Sequence, residues 1–385
     1  MRVAILTTDS REHFQEYSRT VPYFGTAPEA LLQGFNHLPE VEVHVVSCAR
    51  AKMQSPEKLA PNIFFHGIYV SRIGWMQTMY QGCVRATRKV LRQIKPDLVH
   101  GQGTERDCAI SAVLSGFPNV LTIHGNMRFI AEVNRSRPFS FWWLAARLER
   151  FTIPRSQGVV CITHYTQEAV APLAKQTWVV PNAVDASFFE INAAPPTDKP
   201  PVILCVGLIC MRKNQNAFIR ALDALAAQRP FKLVFLGHAA PGREYDDEFL
   251  DLLKSRPWCA HGGFADRDSL RRHLQEARLL ALPSIEDNCP MVVLEAQAAG
   301  VPVVAAKVGG LPDLIEEGRT GFFCNPLDGL SMREAVETVL SNPAKARDLA
   351  VTAKAQARKR FHPMEIAKRH LEIYAEVLRQ GRTCV

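Results

Sequence analysis

Residues 283–300 read PSIEDNCPMVVLEAQAAG, and this stretch sets an acid, a turn and a second carboxylate in fixed register. Asp287 and Glu295 have seven residues between them, and MVVL followed by alanines opens a buried helix. Asp287 and Asn288 can cap that helix. Its first free N–H groups, near Cys289 to Val292 on the flanks of Pro290, would form an anion site. Glu295, one to two turns inside, offers acceptors only, which suits paired sugar hydroxyls. An N-capped core helix carrying a solvated glutamate would have the same spacing, so the segment alone leaves both readings open.

The chain continues VPVVAAKVGGLPDLIEEGRTGFFCNP: a β-branched strand, a Gly-Gly turn, a short acidic helix and a Gly-Phe-Phe strand. The run from Pro283 to Pro326 resembles the donor-binding half of the family-4 retaining glycosyltransferases, the glycosyltransferase group 1 type, whose pattern is PS…E-x7-E-A-x-A-x-G-x-PVV…GG. The first acid departs from that pattern: Asp287 holds the register and Glu286 sits one residue early. Either can be the one that meets a donor sugar.

Alternating strand and helix patterns extend the reading outward. VAILTT, VEVHVVS, DLVHGQG, NVLTIHG and GVVCIT in the first half, and PVILCVG, FKLVFLG, LLALPS and VPVVAA in the second, are short apolar runs closed by polar or glycine turns. They predict an α/β chain of two doubly wound, Rossmann-like domains. The proline-rich EINAAPPTDKPP marks a linker. The predicted division is 1–187, a linker 188–201, a second domain 202–363, and a C-terminal segment 364–385 that begins as a helix. In the family such a helix crosses back to the first domain. The resemblance further implies facing GT-B domains with the active site in an interdomain cleft.

Several residues take roles from the resemblance. After PVILCVG, Leu208 stands where the family has arginine, whereas Lys213 keeps the family's lysine beside the donor diphosphate and Arg212 could supply the missing charge. A cation at a helix start is disfavoured by the dipole unless an anion sits there, although a solvated basic turn is the plainer reading. Gly263, Phe264 and Ala265 fall where the family packs the nucleotide base. Gly25 opens a helix with one glycine in place of the family's two, and a plain turn fits as well. His124 ends a strand in LTIHGNMR and matches a histidine set against the donor sugar; Asn126 and Arg128 could reach the acceptor.

The expected reaction is transfer of a hexose-type sugar from a nucleoside-diphosphate-sugar co-substrate to the hydroxyl of a saccharide, lipid or small molecule, with retention and without cofactor or metal. A hydrolase or epimerase on the same frame, and a non-catalytic nucleotide-sugar-binding partner, stay open. The first strand lacks Gly-x-Gly-x-x-Gly, which argues against a dinucleotide dehydrogenase. Ten cysteines without a Cys-x-x-Cys pair argue for free thiols rather than a zinc site.

Residues 1–187 carry 20 Lys and Arg against 14 Asp and Glu, while the remainder carries 26 against 24, so the basic excess lies in the first half. No nucleic-acid-binding module accompanies it. A basic helix within SRIGWMQTMYQGCVRATRKVLRQIKP and the aromatic-basic NRSRPFSFWWLAARLERF could rest on an anionic leaflet. The N-terminus lacks the plan of a signal peptide, so the expected location is cytoplasmic, with peripheral contact at the inner membrane face as an option.

Overall fold

The computed structural model describes residues 1–193, 195 and 198–383. Residues 194, 196 and 197 of the predicted linker, and 384–385 of the predicted C-terminal segment, lie outside the described residues. The chain divides into two compact units, Met1–Ala183 with His362–Val385, and Val184–Phe361.

The first unit holds strands β1 (Arg2–Leu6), β2 (Glu42–Ala49), β3 (Lys58–Ala60), β4 (Ile63–Tyr69), β5 (Leu98–Gln102), β6 (Asn119–Ile123), β7 (Gly158–Cys161) and β8 (Thr177–Val179). They form one sheet in the order β3-β4-β2-β1-β5-β6-β7-β8, parallel except for the β3–β4 pair. Both faces are covered. Val3 and Ile5 pack with Phe35, Ile366 and Tyr374, while Ala4 and Leu6 pack with Leu91, Val99 and Leu121. This explains why β1 is apolar from Val3 to Leu6 instead of alternating. The periodicity does not announce β3, β4 or β8; IFFHGIY in β4 mixes aromatics with His and Gly.

The C-terminal helix Pro363–Thr383 belongs to this unit and packs along the helix Thr26–Asn36. Gly34 makes the approach possible, because a Cβ there would fall inside contact distance of the Pro363 carbonyl oxygen. Trp178 Nε1 donates to Glu376 at 3.1 Å and fixes the far end. Gly34→Ala is expected to cost about 1–3 kcal/mol, the range for overpacking a close contact, and urea unfolding of the full chain measures it.

The second unit holds β9 (Val202–Val206), β10 (Lys232–Leu236), β11 (Cys259–His261), β12 (Ala277–Leu282), β13 (Val303–Ala306) and β14 (Gly321–Cys324). They form a wholly parallel sheet in the order β11-β10-β9-β12-β13-β14. Its core joins Ile203, Leu233, Phe235 and Leu279 to Phe218, Phe249 and Val336 of the covering helices.

The change of unit falls between Ala183 and Val184, ahead of the predicted linker. Residues after Ala183 are tied into the second unit: Val184 N–H donates to Phe361 O at 2.9 Å, Asp185 pairs with Arg267 at 2.8 Å, and Ile191 O accepts from Lys354. The predicted basic helix is also shorter than its sequence pattern. It runs Gln81–Ile94, after two 3-10 turns that bury Trp75.

Candidate active site

In the second unit, β9 ends at Val206 and the chain turns through the 3-10 segment Met211–Lys213 into the helix Gln215–Ala226. Asn214 makes the turn with φ 61°, and its amide donates to Pro326 O at 2.8 Å. This turn is stitched to the loop after β12: Ile285 N–H donates to Arg212 O at 2.8 Å, and Arg212 Nη1 donates to Glu286 O at 2.9 Å. The stitching delivers Lys213 Nζ onto a carboxylate oxygen of Asp287, which Ser284 Oγ also reaches at 3.1 Å.

The cap predicted for the next helix is corrected. The helix is Met291–Ala299 and its N-cap is Pro290, with no capping side chain. Asp287 lies three residues ahead of that cap, and its Oδ2 accepts from Lys213 and Ser284 instead. Asn288 and Cys289 lie ahead of the cap, so Met291 and Val292, but not Cys289, supply the first helical N–H groups. Gly309, with φ 53°, lets the Gly-Gly turn close over this loop. A Cβ there would collide with Asp287 O, and Gly310 N–H donates to that same oxygen at 3.1 Å.

The two candidate acids differ sharply. Asp287 is buried against Lys213; Glu286 is half-buried and lies 3.6 Å from Arg212 Nη1. Burial pushes the Glu286 carboxyl up, with Arg212 opposing the shift. Glu295 is 5% exposed, which corrects the picture of a solvated side chain. Burial raises its pKa to about 7, the Arg267 charge pulls it down, and Asp185 pushes it up. No motif in the sequence singles out Arg267 or Asp185. Gly263 has φ 70° and its carbonyl accepts from Gly237 N–H at 2.7 Å, while the Phe264 ring stands 81% exposed. Leu208 is also exposed.

In the first unit, His124 follows β6 and its Nε2 lies 2.8 Å from Gln102 Oε1. Gln102 Nε2 is 3.2 Å from His100 Nε2, and His100 Nδ1 lies 2.6 Å from the Tyr374 hydroxyl of the C-terminal helix. A buried polar chain therefore links that helix to His124. Burial lowers the His124 pKa to about 4, partly offset by a hydrogen bond to Asn182, so the ring is neutral at pH 7.

Other first-unit candidates are committed to structure. Arg128, expected on the acceptor side, pairs with buried Glu149 at 3.1 Å and donates to Ala169 O. Glu149 also accepts from Thr104 Oγ1 and Met127 N–H, so the guanidinium closes a buried carboxylate cluster. Asn126 caps the helix Met127–Val133 by accepting from Phe129 N–H at 3.1 Å. Gly25 is the exposed N-cap of Thr26–Asn36 with φ −61°, a conformation open to any residue.

Among the described residues, Cys48, Cys83 and Asp107 have potential ligand atoms within 4.8 Å of one another, all buried. Hydrogen bonding to Cys83 and burial raise the Cys48 thiol well above its ordinary value, which favours a protonated, unreactive group. Among the described residues no helix is long and apolar enough to cross a membrane.

Both units are α/β, and the second holds a lysine and an arginine against the loop between β12 and the Met291–Ala299 helix, at the strands' carboxyl ends where open α/β sheets place ligand-facing groups. Residues 187–359 match the family model for glycosyl transferases group 1, and residues 31–188 the model for Glycosyltransferase Family 4. A glycogen synthase of Mycobacterium tuberculosis is 26% identical over 330 residues, spanning 80% of this chain and 77% of that protein. Sucrose-phosphate synthase from Thermosynechococcus elongatus has the same fold, with a TM-score of 0.77 at 18% identity over 99% of this chain and 100% of that one. HepE from Anabaena, solved in complex with UDP-glucose, has a TM-score of 0.69 at 18% identity over 98% of this chain and 100% of that one. The chain belongs to the group 1, family 4 glycosyltransferases and has their GT-B architecture of two Rossmann-like domains.

Proposed function

We propose that this glycosyltransferase moves a hexose-type sugar from a nucleoside-diphosphate-sugar to an acceptor hydroxyl, with retention at the anomeric carbon and without a metal. The observation that carries the reading is the Lys213–Asp287 pair, set with Arg212 at the start of the Met291–Ala299 helix. As the glycosidic bond breaks, negative charge grows on the leaving diphosphate. Lys213, Arg212 and the Met291 and Val292 N–H groups would take up that charge, already oriented before the reaction begins. Asp287 would hold Lys213 in place and Glu286 would orient the donor sugar. Glu295 would accept from the donor ribose hydroxyls, and Gly263 and Phe264 would flank the base. His124, kept neutral, would bind a sugar hydroxyl rather than act as a base at neutral pH. The acceptor oxygen would attack from the face the diphosphate leaves, so no enzyme carboxylate serves as nucleophile.

The exposed Leu208, standing where the resemblance calls for arginine, favours one other reading: a member that binds donor without turning it over. Peripheral membrane contact would use exposed Phe139 and Trp142 among the arginines of that stretch; buried Trp75 takes no part.

Thermal-shift titration with UDP, GDP, ADP and their hexose conjugates, with and without divalent metal, tests the reading. The expected result is selective stabilisation by one diphosphate, unchanged by metal and lost in Glu295→Ala. Stabilisation by none of them overturns it. Donor binding with no transfer to any saccharide, lipid or small-molecule acceptor selects the non-catalytic reading, whereas rapid consumption of the donor without acceptor selects a hydrolase.

A further inference from the structure

Three arginines at the carboxyl ends of the first unit's strands have no part in the reading above. Arg50 directly follows β2, Arg72 follows β4, and Arg106 follows β5. β1 lies between β2 and β5, and the chain winds outward from it in both directions. Open parallel sheets form a ligand crevice at such a reversal, at the strands' carboxyl ends.

Two of these guanidiniums lie against one indole. Trp75 is 2% exposed and its Nε1 donates to Val70 O at 3.1 Å, so the ring is fixed. The Arg50 guanidinium carbon lies 4.7 Å from the ring centroid and that of Arg106 lies 5.3 Å from it. Both approach a single carboxylate oxygen, Glu12 Oε1, at 3.3 and 3.9 Å. Glu12 is itself buried and anchored through Oε2, which accepts from Arg50 N–H at 2.9 Å and from the Tyr17 hydroxyl at 3.2 Å.

These contacts hold both guanidiniums near the indole and Glu12 without a side-chain hydrogen bond from their donors. Glu12 Oε1 has no hydrogen-bond partner: Arg50 is near enough but not aimed at it, and Arg106 lies beyond hydrogen-bond reach. Among the described residues no other protein acceptor takes a side-chain N–H of Arg50 or Arg106. Arg106 has only 15% of its side chain exposed, so its idle donors are largely shielded from water. A guanidinium presents five donors in a rigid fork matched to phosphate, and unmade bonds on a shielded charge favour a ligand that makes them. Glu105 and Asp107 also lie near Arg106; burial pushes both carboxyls up, and the Arg106 charge pulls them down.

We propose that Arg50 and Arg106, held against Trp75 and Glu12, bind the phosphate of a phosphomonoester acceptor, with Arg72 at the rim. Only the word acceptor rests on the transferase reading; the binding itself does not.

Calorimetric titration of the full chain with inorganic phosphate, glucose 6-phosphate and glucose tests this, beside sedimentation with phosphatidylcholine vesicles with or without phosphatidic acid. Glucose 6-phosphate should bind and glucose should not. Arg50→Gln and Arg106→Gln should each weaken the phosphate compound at least tenfold, and Arg50→Lys less. Arg92→Gln, on the exposed face of Gln81–Ile94, should leave glucose 6-phosphate binding unchanged. Arg50 is exposed enough that its variant should fold, which an unchanged melting curve checks. Capture by phosphatidic acid vesicles alone, lost in the same two variants, would assign the phosphomonoester to a lipid headgroup. The proposal is overturned if neither phosphate source binds, or if Arg92→Gln weakens binding as much as Arg50→Gln. Failure of the nucleotide panel with glucose 6-phosphate binding intact would sink the donor reading and leave this one standing.

Discussion

Lys213→Ala should lower sugar transfer by at least about a hundredfold, the scale seen when one preorganised charge-stabilising group is lost from an active site. It should also destabilise the protein, because Asp287 would lose its bonded cation and remain a buried carboxylate facing Ser284. Breaking one partner of a buried pair costs about 3–5 kcal/mol; here Arg212, 3.7 Å from Asp287, should reduce the loss toward the lower end. The two effects separate in the double variant Lys213→Ala/Asp287→Asn. Removing the stranded charge should restore most of the stability and none of the rate. Full activity in Lys213→Ala, with donor affinity unchanged, would remove the lysine from the mechanism. Equal recovery of rate and stability in the double variant would reduce the pair to a structural one.

Glu295→Gln should stabilise the protein at alkaline pH. The Glu295 carboxyl titrates at about 7 in the folded state against its ordinary 4.5, because burial disfavours the charge. The folded state therefore holds this proton more tightly than the unfolded chain. That contribution is complete below about pH 4.5 and fades as pH rises to about 7, beyond which the ionised side chain is a standing cost of about 3 kcal/mol. Glutamine carries no charge, so the variant should melt on the order of 5–10 °C above the parent at pH 8. The gap should close by about pH 5. A melting difference that stays flat from pH 5 to pH 8 would show that the carboxyl does not titrate there. A buried acid retained at this cost fits a site where stability yields to ligand recognition.

The fold was legible wherever a local pattern carried it. Runs such as VAIL in β1, VILCV in β9 and VVAA in β13 are apolar on both faces, and only a covered parallel sheet buries both. The short or mixed strands escaped notice, because Lys58–Ala60 and Thr177–Val179 are three residues each and supply no period to read. The donor-side motif was legible as a constellation of spaced residues, yet spacing alone misassigned the cap. It assigned Asp287 to the helix that follows, whereas the carboxylate is taken by a lysine 74 residues earlier.

The sequence by itself determined two doubly wound α/β units, the family resemblance, and Lys213, Asp287, Glu295 and His124 as the residues to watch. Those properties reside in hydrophobic period and in motif spacing, which are local along the chain. Only the tertiary structure decided what each side chain meets. It turned Arg128 onto Glu149, buried Glu295 among Arg267 and Asp185, and brought Tyr374 to His100 across 274 residues. It also brought Arg50 and Arg106 to one indole. Such pairings follow from the order in which strands enter a sheet and from which face each loop returns over. A burial penalty or an unspent donor exists only once those distant segments have excluded water together.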